Sequence, residues 1–110
     1  MVFEKHVIGG VDLTVEPKHK IAELGYAIAR KHWGKGFAPE AATALVDWGF
    51  GTYDIVKVFA TANAQNTQSR RVMEKLGMQQ EALLRQHRYF RGRQVDEVLY
   101  AVLREEWTAP

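Results

Sequence analysis

Residues 32–41 read HWGKGFAPEA, and their types and spacing suit an anion site. Gly34 and Gly36 flank Lys35, so the backbone there can turn sharply and come close to a ligand, and Pro39 suits the first turn of a helix. At a helix start the leading N–H groups lack internal partners, and together with the positive end of the helix dipole they favour phosphate oxygens. The amides of residues 34–38 would converge on such a group, and Lys35 adds a cation. The plain alternative is a tight strand-to-helix turn with no ligand. The pattern is neither GxxxxGK followed by Ser or Thr nor GxGxxG, so neither common nucleotide fingerprint fits.

Other residues could move protons. Glu23, ahead of the glycine turn, is a candidate base, or else a carboxylate that merely solvates a sheet. In NTQS, Asn66 is a good helix N-cap, and the Ser69 hydroxyl could cap the first turn. His87 and Tyr89 alternate along a later strand as possible acids or substrate contacts. The four histidines, at 6, 19, 32 and 87, show no metal-ligand spacing and no accompanying carboxylate cluster, so no metal is expected. With no cysteine, disulfides and thiolate nucleophiles are excluded.

The elements that must position these residues follow from periodicity. VIGGVDLTV reads as a first strand ending at EPKHK, and AELGYAIA as a second. From Pro39 the period becomes helical, with Ala38, Ala41, Leu45 and Trp48 on one apolar face and fraying expected near Gly49 to Gly51. IVKVFATAN is a strand alternating at Val56, Val58 and Ala60. A second helix starts at Asn66 and stops at Gly77. EALLRQHRYF and VDEVLYAVL form a hairpin across RGRQ. The order predicts an α/β or α+β sandwich whose strand-helix-strand unit gives a parallel pair with a right-handed crossover.

The whole chain bounds these readings. Its 110 residues suit one domain, and a net charge of +2 favours anionic ligands without demanding nucleic acid. No apolar run approaches the ~20 residues of a membrane span and MVFEKHVIGG lacks a signal-peptide core, so a cytoplasmic protein is expected.

In series, ELGYAIARKHWGKGFAPEA, NTQSRRVMEKLGM and YFRGRQVDEVLYAVLREEW resemble the GNAT family of N-acetyltransferases, in particular the branch that acetylates ribosomal-protein amino termini. KHWGKG matches the family's pyrophosphate loop, Gln/Arg-x-x-Gly-x-Gly/Ala, with Lys31 in the first place. The resemblance runs from Val7 to Trp107 and implies a GNAT-like mixed sheet, shortened at its amino terminus to about the last two-thirds of the usual fold. The strand and two helices that usually precede would wall the acceptor site. A homodimer or swapped element is one way to complete it.

The resemblance also implies roles. Acetyl-CoA would lie between AELGYAIA and IVKVFATAN, its pyrophosphate on Gly34, Lys35, Gly36, Phe37 and Ala38, and its pantetheine along Tyr26, Ala27 and Ile28. Lys31 and Asn66 would hold cofactor, as would Trp33 unless it is a core aromatic; Trp48 is expected in the core. The family's usual acid, a tyrosine seven residues after the Asn, is Met73 here, and the branch's serine falls at Ser69. Ser69 is then the acid and a cofactor contact, with Glu23 the base. An α-amino group, with a pKa of roughly 8 against about 10.4 for lysine, needs only a weak base. The implied partner is an amine acceptor, a protein amino terminus or a small amine, with no membrane.

A rival reading is a small RNA-binding module or an inactive acetyl-CoA-binding fragment. RQHRYFRGR interleaves four arginines with two aromatics, the ingredients of a single-stranded nucleic-acid surface. The plain alternative is a basic hairpin tip, and nucleic acid is not the expected partner.

Overall fold

The computed structural model describes residues 4–8, 11–26 and 37–107. The strands are β1 (Glu4–Ile8), β2 (Val11–Glu16), β3 (Ile21–Tyr26), β4 (Lys57–Asn63), β5 (Gln79–Phe90) and β6 (Arg93–Leu103). The helices are α1 (Phe37–Thr52) and α2 (Thr67–Lys75). The strands form one sheet in the order β1-β2-β3-β4-β6-β5. Among the described strands only the β3–β4 pair is parallel, as the strand-helix-strand unit predicts.

The expected first strand is in fact two. β1 and β2 pair antiparallel from Glu4↔Val15 to Ile8↔Val11. Gly-Gly is a tight-hairpin signal, masked here by the β-branched residues on either side. In β2 the residues Val11, Leu13 and Val15 are buried and alternate with half-buried Asp12, Thr14 and Glu16. Val58, Ala60 and Ala62 repeat that alternation in β4, while Val56, expected inside, precedes the strand and is 48% exposed.

Helix α1 turns Ala42, Leu45, Val46 and Phe50 to the core, a spacing of three and four residues. This stripe is rotated from the expected one: Leu45 is kept, and Trp48 stands at the margin with 42% exposure. There Trp48 packs edge-on to His6, ring centroids 4.6 Å apart, while His6 Nε2 is 2.7 Å from the Tyr53 hydroxyl. The helix also runs through Gly49–Gly51 to Thr52. A Cβ on Gly49 would lie 2.6 Å from Leu13 Cδ2, so this glycine lets α1 settle onto β2.

Helix α2 is bounded as expected. Asn66 Oδ1 accepts from the Ser69 amide at 3.1 Å. Gly77, at φ 81°, lets Met78 N–H donate to Met73 C=O (3.1 Å) and Gly77 N–H to Glu74 C=O (3.0 Å), the reciprocal bonds of a Schellman stop. Met73 and Met78 are buried beside it.

Both helices contribute to a single core cluster with the strands. Leu13, Leu24, Ile55, Met73, Leu76, Val58 and Val102 are among its fully buried members, each contributing about 1.5–3 kcal/mol by burial. Arg104, just after β6, holds the link between α1 and β4, donating to Ile55 C=O and Tyr53 C=O at 2.7 Å each. Among the described residues, no helix is long and apolar enough to cross a membrane.

Candidate active site

The β3–β4 ladder has three rungs, Ile21↔Lys57, Ala22↔Val58 and Glu23↔Phe59, and then stops although both strands continue. Leu24–Tyr26 stay paired with β2 as far as Tyr26↔Val11, and Ala60–Asn63 stay paired with β6 as far as Asn63↔Glu97. The sheet therefore splits between β3 and β4 and opens toward the carboxyl ends of both strands. Helix α2 follows β4 and so begins at the open end, and α1 ends shortly before Lys57 at the paired end, so that its start lies toward the open one. Open α/β sheets bind ligands at such a place. The gap-facing backbone groups of Leu24–Tyr26 and Ala60–Asn63 can receive an extended, amide-bearing ligand as a substitute strand.

Glu23 sits on the last rung, exposed and on the face away from the helices. Its pKa is raised, first by partial burial and then by the Asp12 carboxylate; the Arg88 guanidinium opposes the rise and Glu97 adds to it. Asp12 lies opposite Gly25 on the next strand, where an added Cβ would come within 2.8 Å of its Oδ1. Gly25 thus keeps side-chain bulk away from the Asp12 carboxylate. Glu97, 6% exposed and opposite Asn63, is held by Arg88 Nε at 2.8 Å. A carboxylate raised in this way binds a proton more readily, as a general base requires.

At the mouth of the gap, the chain turns from β4 into α2 through short bonds. Asn63 Oδ1 accepts from Gln65 N–H at 2.9 Å, and Asn63 C=O accepts from Asn66 N–H at 2.8 Å. The first turn of α2 is thereby fixed at the gap. Ser69 is 3% exposed, and among the described residues its hydroxyl has no hydrogen-bond partner. Asn66 Oδ1 is occupied as the cap of α2. Met73, at the place of the family's tyrosine, is fully buried and fills the core.

Arg70, in the first turn of α2, is spent on structure. It donates to Tyr100 Oη, Ala64 C=O and Gln80 Oε1 at 3.2, 3.0 and 3.3 Å, bracing α2 against β5 and β6. His87 and Tyr89 lie on β5, separated from β4 by β6. Ala27, Ile28, Lys31, Trp33, Gly34, Lys35 and Gly36 lie outside the described residues. Tyr26 is the last residue of β3, and Phe37 and Ala38 open α1. Among the described residues there is no group of three potential metal ligands. Asp12, Gly25 and Glu97 are additions that the sequence alone does not single out. A glutamate amid the apolar run VDEVLYAVL is the one signal that could have marked Glu97.

Residues 1–79 match the profile of the acetyltransferase (GNAT) domain. The chain belongs to the GNAT family. This GNAT chain is 36% identical over 93 residues to the uncharacterised N-acetyltransferase p20 of Bacillus licheniformis, covering 84% of itself and 52% of that protein. YdaF of Bacillus subtilis, provisionally named a ribosomal N-acetyltransferase, is 30% identical over 97% of this chain and 59% of its own. Among solved structures, the spermidine N-acetyltransferase of Vibrio cholerae in complex with CoA and spermine superposes with a TM-score of 0.80 at 26% identity, covering 87% of this chain and 57% of that one. The chain thus spans about half to three-fifths of the length of these relatives.

Proposed function

We propose that this GNAT chain transfers the acetyl group of acetyl-CoA to a primary amine by direct attack, with no acyl-enzyme. The observation that carries the reading is the split between β3 and β4 opening toward the start of α1. The pantetheine amides would pair with the gap-facing edge at Tyr26 and continue to Ala27 and Ile28. The diphosphate would rest on the amides of residues 34–38, with Lys31, Lys35 and Trp33 beside it and Asn66 at the mouth. Each of these assignments comes from the motif match at that position.

In the proposed step, the neutral amine adds to the thioester carbonyl carbon, and an amide of β3 stabilises the charge that grows on oxygen. Glu23 accepts the proton lost by nitrogen, the C–S bond breaks, and Ser69 relays a proton to the departing thiolate, the proton taken up by Glu23 returning through solvent to restore both residues. Products are the acetamide and free CoA thiol. A protein α-amino group is the first acceptor, supported by the branch resemblance and by the provisional name of YdaF. A cationic polyamine is the second, favoured by the carboxylates of Asp12, Glu23 and Glu97 on the same face and by the spermidine-acetylating relative. A cytoplasmic place of action and completion by a second copy belong to the same proposal.

The test is release of CoA thiol across peptides, polyamines, amino acids and aminoglycosides, with binding of CoA measured in parallel. Gly36→Glu should abolish CoA binding by filling and charging the anion site. Undiminished affinity of that variant would overturn the placement of the diphosphate, and a silent screen with intact binding would overturn the transferase reading for this chain.

A further inference from the structure

β5 and β6 stay paired to Phe90↔Arg93, whereas β6 leaves β4 after Glu97↔Asn63. Residues 85–96 therefore project past the sheet as a two-stranded arm. The arm holds four arginines and one acid, Asp96, so in a chain of net charge +2 the remainder carries −1. Residues 85–94 are all exposed, Tyr89 by 69% and Phe90 by 47%. Arg88 is neutralised by Glu97, while Arg85, Arg91 and Arg93 have no ion-pair partner among the described residues.

The arm is also shaped. Between the rungs Leu84↔Glu97 and Arg88↔Val95 the β5 strand bulges, with Gln86 at φ 51°. Asp96 Oδ1 accepts from Gln86 N–H at 2.8 Å, and Gln94 Nε2 donates to Gln86 C=O at 3.0 Å, fixing the bulge from the partner strand. Arg85 and His87 line an open cleft there with Leu83, Leu84, Gln86 and Asp96. At the tip, the Arg91 guanidinium lies 5.1 Å from the Phe90 ring centroid. Tyr89 pairs across with Gln94 and Phe90 with Arg93, so the two rings stand on opposite faces.

Concentrated cations repel one another, and exposed rings leave apolar area in water. One ligand class relieves both: a flexible polyanion that carries flat apolar groups. An acidic peptide supplies charge without stacking surfaces, and a duplex keeps its bases stacked inside. We propose that the β5–β6 arm is a docking surface for single-stranded nucleic acid, with Arg85, Arg91 and Arg93 following phosphates and Tyr89 and Phe90 stacking bases. The surface is distinct from the gap between β3 and β4, and its occupancy does not depend on the acyl-transfer reading.

Fluorescence anisotropy with labelled 12-nucleotide oligouridine and oligothymidine, titrated with the full chain over a range of salt, tests this. Saturable binding is expected, with a log–log salt slope of about −2 for three phosphate contacts on a single strand. Tighter binding of the uridine oligomer would assign RNA as the source, and of the thymidine oligomer DNA. Arg91→Glu with Arg93→Glu should weaken binding by about tenfold or more and flatten the slope. Tyr89→Ala with Phe90→Ala should weaken it by about thirtyfold or more at unchanged slope. Thermal melts check that each variant is folded. The proposal is overturned by absence of saturable binding at low salt, by equal competition from polyglutamate at matched charge, or by an aromatic double variant that binds like the parent.

Discussion

Glu23 ionises against partial burial and the neighbouring Asp12 carboxylate, with Arg88 pulling the other way. Its folded pKa stands above the ordinary carboxylate value near 4.5, so the folded state holds this proton more tightly than the unfolded chain. The stability it contributes is complete below that value and is lost as pH rises through the folded pKa. Glu23→Gln should accordingly raise the melting temperature at pH 7 and match the parent near pH 4. The same substitution should lower kcat/KM by about a hundredfold and remove the acidic limb of the pH–rate profile; an unchanged profile would take Glu23 out of proton transfer. Ser69→Ala should lower kcat with little change in KM for acetyl-CoA, and undiminished turnover would remove Ser69 from the mechanism. Asn66→Ala is expected to cost about 1 kcal/mol through loss of the α2 cap, read by denaturant unfolding.

At the scale of elements, the contact between α1 and β2 depends on Gly49 having no side chain. Gly49→Ala gains about 1 kcal/mol of helix propensity but forces a methyl against fully buried Leu13, an overpacking cost of about 1–3 kcal/mol. A net loss is expected, and Leu13→Val in the same chain should recover part of it; simple additivity in the unfolding free energies would disprove the contact. This case also shows what a sequence conveys. The ends of α2 were legible in Asn66 and Gly77 because caps are made by local chemistry. Trp48 misled because size suggests core, whereas the buried stripe of α1 is set by which face meets β2. The β1–β2 pairing was hidden in a run of β-branched residues. The approach of Asp12, Glu97 and Arg88 toward Glu23 was not legible, since it depends on pairing between strands distant in sequence.

For the whole molecule, a ligand that binds only the folded state adds stability by mass action. Saturation with CoA at about a hundred times its Kd should add about 2.7 kcal/mol, a rise in melting temperature of roughly 10 °C for a domain of this size. No shift at millimolar CoA would argue against an accessible gap. The parallel β3–β4 pair was readable from the order of elements, and it is this pair that splits.

That split makes the sheet two leaves on a fulcrum. β1, β2 and β3 form one leaf and β4, β6 and β5 the other, with the rungs from Ile21 to Glu23 as the backbone ladder between them. Amides along the inner margins have no strand to shield them, so in heavy water they should exchange quickly, and slow only when a guest lends its carbonyls. With the proposed acetyl-CoA as that guest, the molecule would be stiffest when loaded.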